Sequence, residues 1–395
     1  MSVSLFRFAL RSPLMIALIW LNSAISRAGD AEATPLRVGV ILALTGDRAI
    51  YGQPQLEAIR RYFLEVNDAG GIDGRKVDLL VHDSAGLPET VARHMEELAA
   101  DEKVLAVLTG ETTTSALGAR EPAAQWGIPT LCTGATADVV TADHEWMFRC
   151  LFTDSFQGLA MARFLYEHKE IAKVGLVYDP EIMYSEGLAE SFRKEFARLG
   201  GQVIDTPISA DTTIARYIEI LTEMAASDVG AVFAPLYVEA AGQLVRAAAR
   251  MDYKSIICGG DAWDSDSLFA GGGRRLAGSF FATLPFNRDA DDQSRAFVKK
   301  TVEWGYANPD KDLVVGYDAA TMLTVAMQGA RTRDEVRAGL AGLRDLVLVG
   351  GNLVRMKDGN AIRSVGIVEI VAGEGGNQAD PPQIIIVPEG SATPQ

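Results

Sequence analysis

Val104-Leu105-Ala106-Val107-Leu108-Thr109-Gly110-Glu111-Thr112-Thr113-Thr114-Ser115 is the stretch around which the rest of the chain is organised. Its first five residues form a short apolar, β-branched run of the kind that makes a buried strand. Gly110 interrupts the run, and Ala116 to Trp126 then reads as a helix that holds Pro122 and stops at Gly127. A strand that turns into a helix through small hydroxyl residues leaves backbone N–H groups pointing outward. Those donors, the positive helix end and the added hydroxyls suit a carboxylate or another small anion. The plainer reading is an N-cap. Three threonines and a serine in a row exceed what one cap needs, which makes Glu111, Thr112 and Thr113 candidates for a ligand site.

Outward from this stretch the chain alternates strand and helix. Leu36 to Leu44, Lys76 to His82, Ile128 to Cys132, Val174 to Tyr178, Val203 to Pro207, Ala231 to Pro235 and Ser255 to Cys258 read as strands. Helical spacing marks Gln55 to Asn67, Glu89 to Ala100, Gln157 to His168, Gly187 to Leu199, Ile214 to Ala225 and Val238 to Met251. Helices follow Phe286, at Ala319 to Thr332 and at Arg333 to Leu343, and strands return at Gly366 to Val371 and Ile384 to Val387. Regular βαβ alternation implies mostly parallel sheets covered on both faces. So many strands exceed one ordinary sheet, so the expected fold is α/β with two Rossmann-like lobes.

Composition narrows the function. The 395 residues carry a formal charge of −15 with a pI near 4.8, which argues against nucleic acid and anionic membranes as partners. Arg7 and Arg11, the apolar Leu14 to Leu21 and the small-x-small Ser26-Arg27-Ala28 form an export signal over residues 1–28. Its removal takes away three arginines and leaves −15 − 3 = −18. The apolar core is too short to span a bilayer, so a periplasmic protein with no stable membrane insertion is expected. Cys132, Cys150 and Cys258 make an odd count; Cys132 and Cys258 read as buried, and a Cys132–Cys150 bridge is left open.

Enzyme signatures are missing from the sequence. His144-Glu145 has Phe148 where a zinc-protease helix needs a second histidine, and no P-loop, nucleophile elbow, Cys-x-x-Cys or dinucleotide glycine pattern occurs. Asp264 and Asp266 open like a calcium loop, but Phe269 replaces its glycine. No enzymatic activity, cofactor or metal is expected.

Several segments, in order, carry a resemblance. Ile41-Leu42-Ala43-Leu44-Thr45-Gly46 with Tyr51-Gly52, Asn67 to Gly74, Gly127-Ile128-Pro129, Gly134-Ala135-Thr136, Tyr184 to Leu188 and Gly259-Gly260-Asp261 together resemble the leucine/isoleucine/valine-binding family of type I periplasmic binding proteins. The resemblance runs from about Leu36 to about Ile386. It implies two lobes joined by a multi-strand hinge, residues 36–153 with 287–347 and 154–286 with 348–388, crossing near Thr153, Leu284 and Leu348. It also implies capture of a small amino acid between the lobes and delivery to an ABC-type membrane permease. By the same resemblance, Thr113 meets the α-carboxylate, Gly134 and Thr136 the head group, Tyr184 and Tyr237 the second-lobe wall, and Asp261 the α-ammonium. Tyr51, Glu111, Thr112 and Ala135 complete the expected ligand set. Glu111 departs from an apolar family position, and Asp310-Lys311-Asp312 brings charge near another. Both weigh against leucine or valine, although the ordinary fate of a glutamate is solvent. Alternatives are an amide, urea or aromatic acid as ligand, or a sensory ligand-binding module.

Overall fold

The computed structural model describes residues 34–265, 268, 277–307, 309–373, 376–379 and 384–386. The export signal, Asp266 and Phe269 of the calcium-like loop, Gly271-Gly272-Gly273 and the tail after Ile386 lie outside the described residues. Two sheets dominate. The first is parallel throughout, in the order β2-β1-β3-β4-β5, from Val77–Asp83 (β2), Leu36–Leu42 (β1), Val104–Thr109 (β3), Thr130–Cys132 (β4) and Met147–Arg149 (β5). Every residue of β3 is buried, as its unbroken apolar run requires of a central strand covered on both faces. Helices α1 (Ala49–Asp68), α9 (Lys311–Met327) and α10 (Arg333–Ala341) pack on one face through Ile59, Phe63, Leu323 and Leu340. Helices α2 (Pro88–Ala99) and α3 (Thr113–Trp126) cover the other through Val91, Met95 and Ala119.

The second sheet holds β6 (Lys173–Tyr178), β7 (Gln202–Pro207), β8 (Ala231–Ala234), β9 (Ile256–Gly259), β10 (Phe280–Thr283), β14 (Val365–Gly373), β15 (Gly376–Ala379) and β16 (Ile384–Ile386). Its order is β15-β14-β10-β9-β8-β6-β7, with β14 antiparallel to β10 and β16 beside β14. Helices α4 (Asp154–Arg163), α5 (Met183–Arg198), α6 (Ile214–Ala226) and α7 (Val238–Arg250) contribute Met161, Phe192, Leu221 and Leu244 to its core. Helix α8 (Asp292–Glu303) adds Phe297 to that core, while its Lys300 pairs with Glu65 of α1.

Three details depart from the sequence reading. Strands β5 and β10 are only three and four residues long, too short to stand out from their surroundings. A small antiparallel sheet, β11 (Arg344–Leu346), β12 (Leu353–Lys357) and β13 (Asn360–Arg363), was not anticipated. It sits on the first lobe, where Arg149 N–H donates to the Gly359 carbonyl at 2.8 Å and Leu353 and Met356 join that lobe's core. After Arg363 the chain enters β14 of the second sheet. The three cysteines are buried and free, so the Cys132–Cys150 bridge does not form. Cys132 faces the core beneath α3 and Cys150 the core beneath α1, on opposite sides of the sheet.

One ion pair gathers the crossings. Arg363 and Asp318 are both 0% exposed and meet at 2.7 Å. Arg363 also donates to the carbonyls of Cys150 and Gly351, and Asp318 accepts from the N–H groups of Val349 and Gly350. A side chain at Gly350 would place its Cβ 2.6 Å from Leu284 and 3.0 Å from Asp318 Oδ2, so it would push on both side chains. Breaking a buried pair strands one charge, at a cost of about 3–5 kcal/mol. Asp318→Ala should lose that much in urea denaturation, and Asp318→Leu with Arg363→Met should lose less. Equal losses in the two variants would show that the pair carries no special weight.

Candidate functional site

The two sheets point the carboxyl ends of their strands at one cleft, which is where α/β sheets place ligands. From the first lobe, the loop after β3 supplies Glu111, Thr112 and Thr113. The Thr112 hydroxyl caps α3, accepting from Ser115 N–H at 3.3 Å, so the hydroxyl run does serve as a cap. The next N–H groups of the first turn have no intrahelical acceptor. Gly134 follows β4, and a Cβ there would lie 2.3 Å from the Glu111 carbonyl, so the two pocket loops touch through a glycine. Arg149, fully buried, holds the loop beyond it by donating to Ala137 O and the Thr141 hydroxyl.

From the second lobe come Tyr184, at the start of α5, Tyr237, at the start of α7, and Asp261, just after β9. The Tyr184 and Tyr237 rings stack at 4.8 Å and 22°. Tyr51 of α1 reaches across: its hydroxyl accepts from Val238 N–H at 3.0 Å and lies 3.5 Å from the Ala262 carbonyl. Arg48 caps the outer side, its guanidinium 4.0 Å from the Tyr237 ring centre and 2.6 Å from Glu239.

These residues enclose a cavity of about 10 Å³, counted as room for the centres of water-sized spheres, which is space for about one water. Its walls include Tyr51, Glu111, Thr112, Thr113, Gly134 and Thr136 of the first lobe and Tyr184, Tyr237 and Asp261 of the second. Ala135 does not line it. Buried at 1% exposure, it sits behind the wall with its N–H on the Gly110 carbonyl. Ala262 lines the cavity as well, and so does Lys311, which the sequence offered only as charge near a pocket position.

Lys311 changes the electrostatics. Its ammonium, on the first turn of α9, meets Asp261 Oδ2 at 3.0 Å and lies 3.8 Å from Asp312, with both Lys311 and Asp261 only 3% exposed. The other Asp261 oxygen accepts from Gln157 at 3.1 Å. Burial opposes the Lys311 charge, but Asp312, Asp261 and Asp264 together raise its pKa above the ordinary lysine value. Burial pushes Asp264 up to about 6 and Asp154 well above the usual carboxylate range. Glu111 is 2% exposed. Burial raises its pKa to about 7 against the pull of the Ser115 hydroxyl, backbone N–H groups and Arg48. Elsewhere, His82, His94 and Glu97 bring donor atoms within 4.8 Å of one another, a nitrogen and oxygen set of borderline character. Among the described residues no helix is long and apolar enough to cross a membrane.

Residues 35–377 match the family model described as periplasmic binding protein. A Leu/Ile/Val-binding protein homolog of Brucella abortus is 27% identical over 80% of this chain and 83% of its own. The leucine-specific-binding protein of Salmonella typhimurium is 24% identical over 84% and 88%. A leucine binding protein structure from Thermotoga maritima superposes with a TM-score of 0.80 at 25% identity, covering 90% of this chain and 99% of that one. A branched-chain amino acid transporter substrate binding protein from Streptococcus pneumoniae, in complex with isoleucine, gives 0.79 at 24%, covering 88% and 100%.

The Glu111 carboxyl carries a stability signature. In the fold it holds its proton up to about pH 7, whereas the ordinary value is 4.5. Between those values the folded chain binds more protons than the unfolded one, so stability falls as pH rises through the window. Glu111→Gln removes this contribution. The variant should match the parent near pH 4 and exceed it near pH 8 by about 3 kcal/mol, at about 1.4 kcal/mol per unit. Thermal melts at the two pH values check it; a variant less stable at pH 8 would contradict it.

Proposed function

The chain belongs to the periplasmic binding protein family, and from that premise we propose that it captures a small amino acid between its lobes and hands it to an ABC-type permease. The observation that carries the reading is the division of the cavity wall. A helix start with hydroxyls stands on one lobe and a buried carboxylate, Asp261, on the other. A buried carboxylate needs N–H and O–H donors, and a buried ammonium needs an anion, so the two ends suit the two poles of a zwitterion. The named relatives, binding proteins for leucine and its kin, support the same class. In this reading Thr113, Gly134 and Thr136 receive the carboxylate end, Asp261 the ammonium, and Tyr51, Tyr184 and Tyr237 the walls. The export signal read over residues 1–28 and the family support a periplasmic location.

One observation favours a second reading. Lys311 already gives Asp261 an ammonium, so an acid without an α-amino group would leave no charge unpaired. A thermal-shift screen of amino acids, amides, urea and aromatic acids separates the two. A ligand at a hundred times its Kd adds about 2.7 kcal/mol. Stabilisation by amino acids alone supports the first reading, and stabilisation by aromatic acids alone installs the second.

Asp261 supplies the sharper check. Losing the partner of a buried charge costs about 2–5 kcal/mol, roughly 30-fold to several thousand-fold in Kd. Asp261→Asn should weaken amino-acid binding by that factor in calorimetry. Thr113→Val should cost about 1–3 kcal/mol, because neighbouring N–H groups remain. Unaltered affinity in Asp261→Asn would place the ammonium elsewhere.

A further inference from the structure

We propose that this pocket selects an amino acid whose side chain bears a hydrogen-bond donor, a hydroxyl or a carboxamide, and that Glu111 is the residue that selects it. The inference rests on the amino-acid reading above and deepens it. Three independent features of the cavity carry it.

The first is an unsatisfied acid. Glu111 lies in the wall with one carboxyl oxygen accepting from the Ser115 hydroxyl, while Oε2 has no partner at hydrogen-bonding geometry. Buried polar atoms are almost always paired, so an orphan that faces a ligand cavity marks where a ligand atom completes the set. Above about pH 7, where the acid gives up its proton, this oxygen only accepts, so the ligand atom that completes it there is a donor. The glycine at position 134 holds the Glu111 backbone close against the neighbouring loop, which fixes where the acid stands.

The second is a further orphan on the opposite wall. The Tyr237 hydroxyl is buried with the Thr114 side chain beside it, but makes no bond at full hydrogen-bonding geometry. A hydroxyl both donates and accepts, so it can serve the carbonyl of a carboxamide or the oxygen of an alcohol. An aliphatic side chain would leave both groups unpaired.

The third is charge. Lys311 and Glu111, each nearly inaccessible, stand in the lining, where an aliphatic chain offers a charged or polar group nothing to pair with.

Isosteric pairs test the idea without a mutation. Threonine and valine differ by a hydroxyl for a methyl, and asparagine and leucine by an amide for two methyls. A site built to hydrogen-bond a group rejects the analogue that lacks it far more strongly than an apolar pocket rejects an added hydroxyl. Calorimetry on the full mature chain should give threonine or asparagine at least about tenfold tighter than its partner. Glu111→Leu, checked for a cooperative melt, should erase or invert that preference. If valine and leucine bind as tightly as threonine and asparagine, the inference fails while amino-acid capture stands. If none of the four binds, the inference fails, and a blank over all amino acids in the screen overturns capture itself.

Discussion

A charge can be buried only where a partner meets it, and here the partners come from opposite lobes. Lys311 rises from the first turn of a helix in the first lobe, and Asp261 follows a strand of the second. Neither has appreciable access to water, so separating them inside the closed cleft would strand two charges at several kcal/mol. The pair therefore ties lobe closure to electrostatic neutrality. Whatever enters the cavity must either leave this pair intact or replace one of its members. A zwitterion meets that condition with its ammonium at Asp261, because Asp312 stands 3.8 Å from Lys311 and can retain it.

The hinge obeys a related rule away from the cleft. Arg363 and Asp318 gather backbone from two segments, at Cys150 and at 349–351, and each hydrogen bond they make replaces one that water would otherwise supply. The cleft and the hinge are thus both built from buried ion pairs. The difference lies in their surroundings: the hinge pair is packed and nearly saturated, while the cleft pair borders unsatisfied groups on Glu111, Asp154 and Tyr237. Unsatisfied polar atoms are where a ligand has something to add.

Much of the fold was legible because central parallel strands carry long apolar runs, as β1 does from Val38 on and β3 up to Leu108, and because glycines such as Gly127 end helices in a left-handed turn. The cavity wall was legible to the same degree, apart from Ala135, since its residues lie at strand ends and helix starts. Strands as short as β5 leave too few residues for a period to show. The antiparallel β11–β13 sheet is built from segments of three to five residues that mix charged and apolar side chains, and it offers no long apolar run. The pairing of Lys311 with Asp261 was hidden for a different reason. The two lie fifty positions apart in sequence, and a lysine among aspartates reads as a solvated helix start until a fold brings Asp261 over it. Glu111 likewise contradicts the usual fate of a glutamate, and burial by three neighbouring loops is invisible locally.

The account stands or falls on the cleft opening and closing, because a cavity with room for one water cannot admit an amino acid unless the lobes part. The native cysteines do not interfere with labelling, being buried, with burial pushing each thiol up to about 12. Spin labels at Arg93→Cys on the first lobe and Glu219→Cys on the second occupy side chains 62% and 63% exposed. Pulsed dipolar spectroscopy between them reads the lobe separation. The account predicts a long distance in the free protein that shifts to a shorter, narrower one when the amino acid found by screening is added. A single distance unchanged at saturating ligand would contradict it.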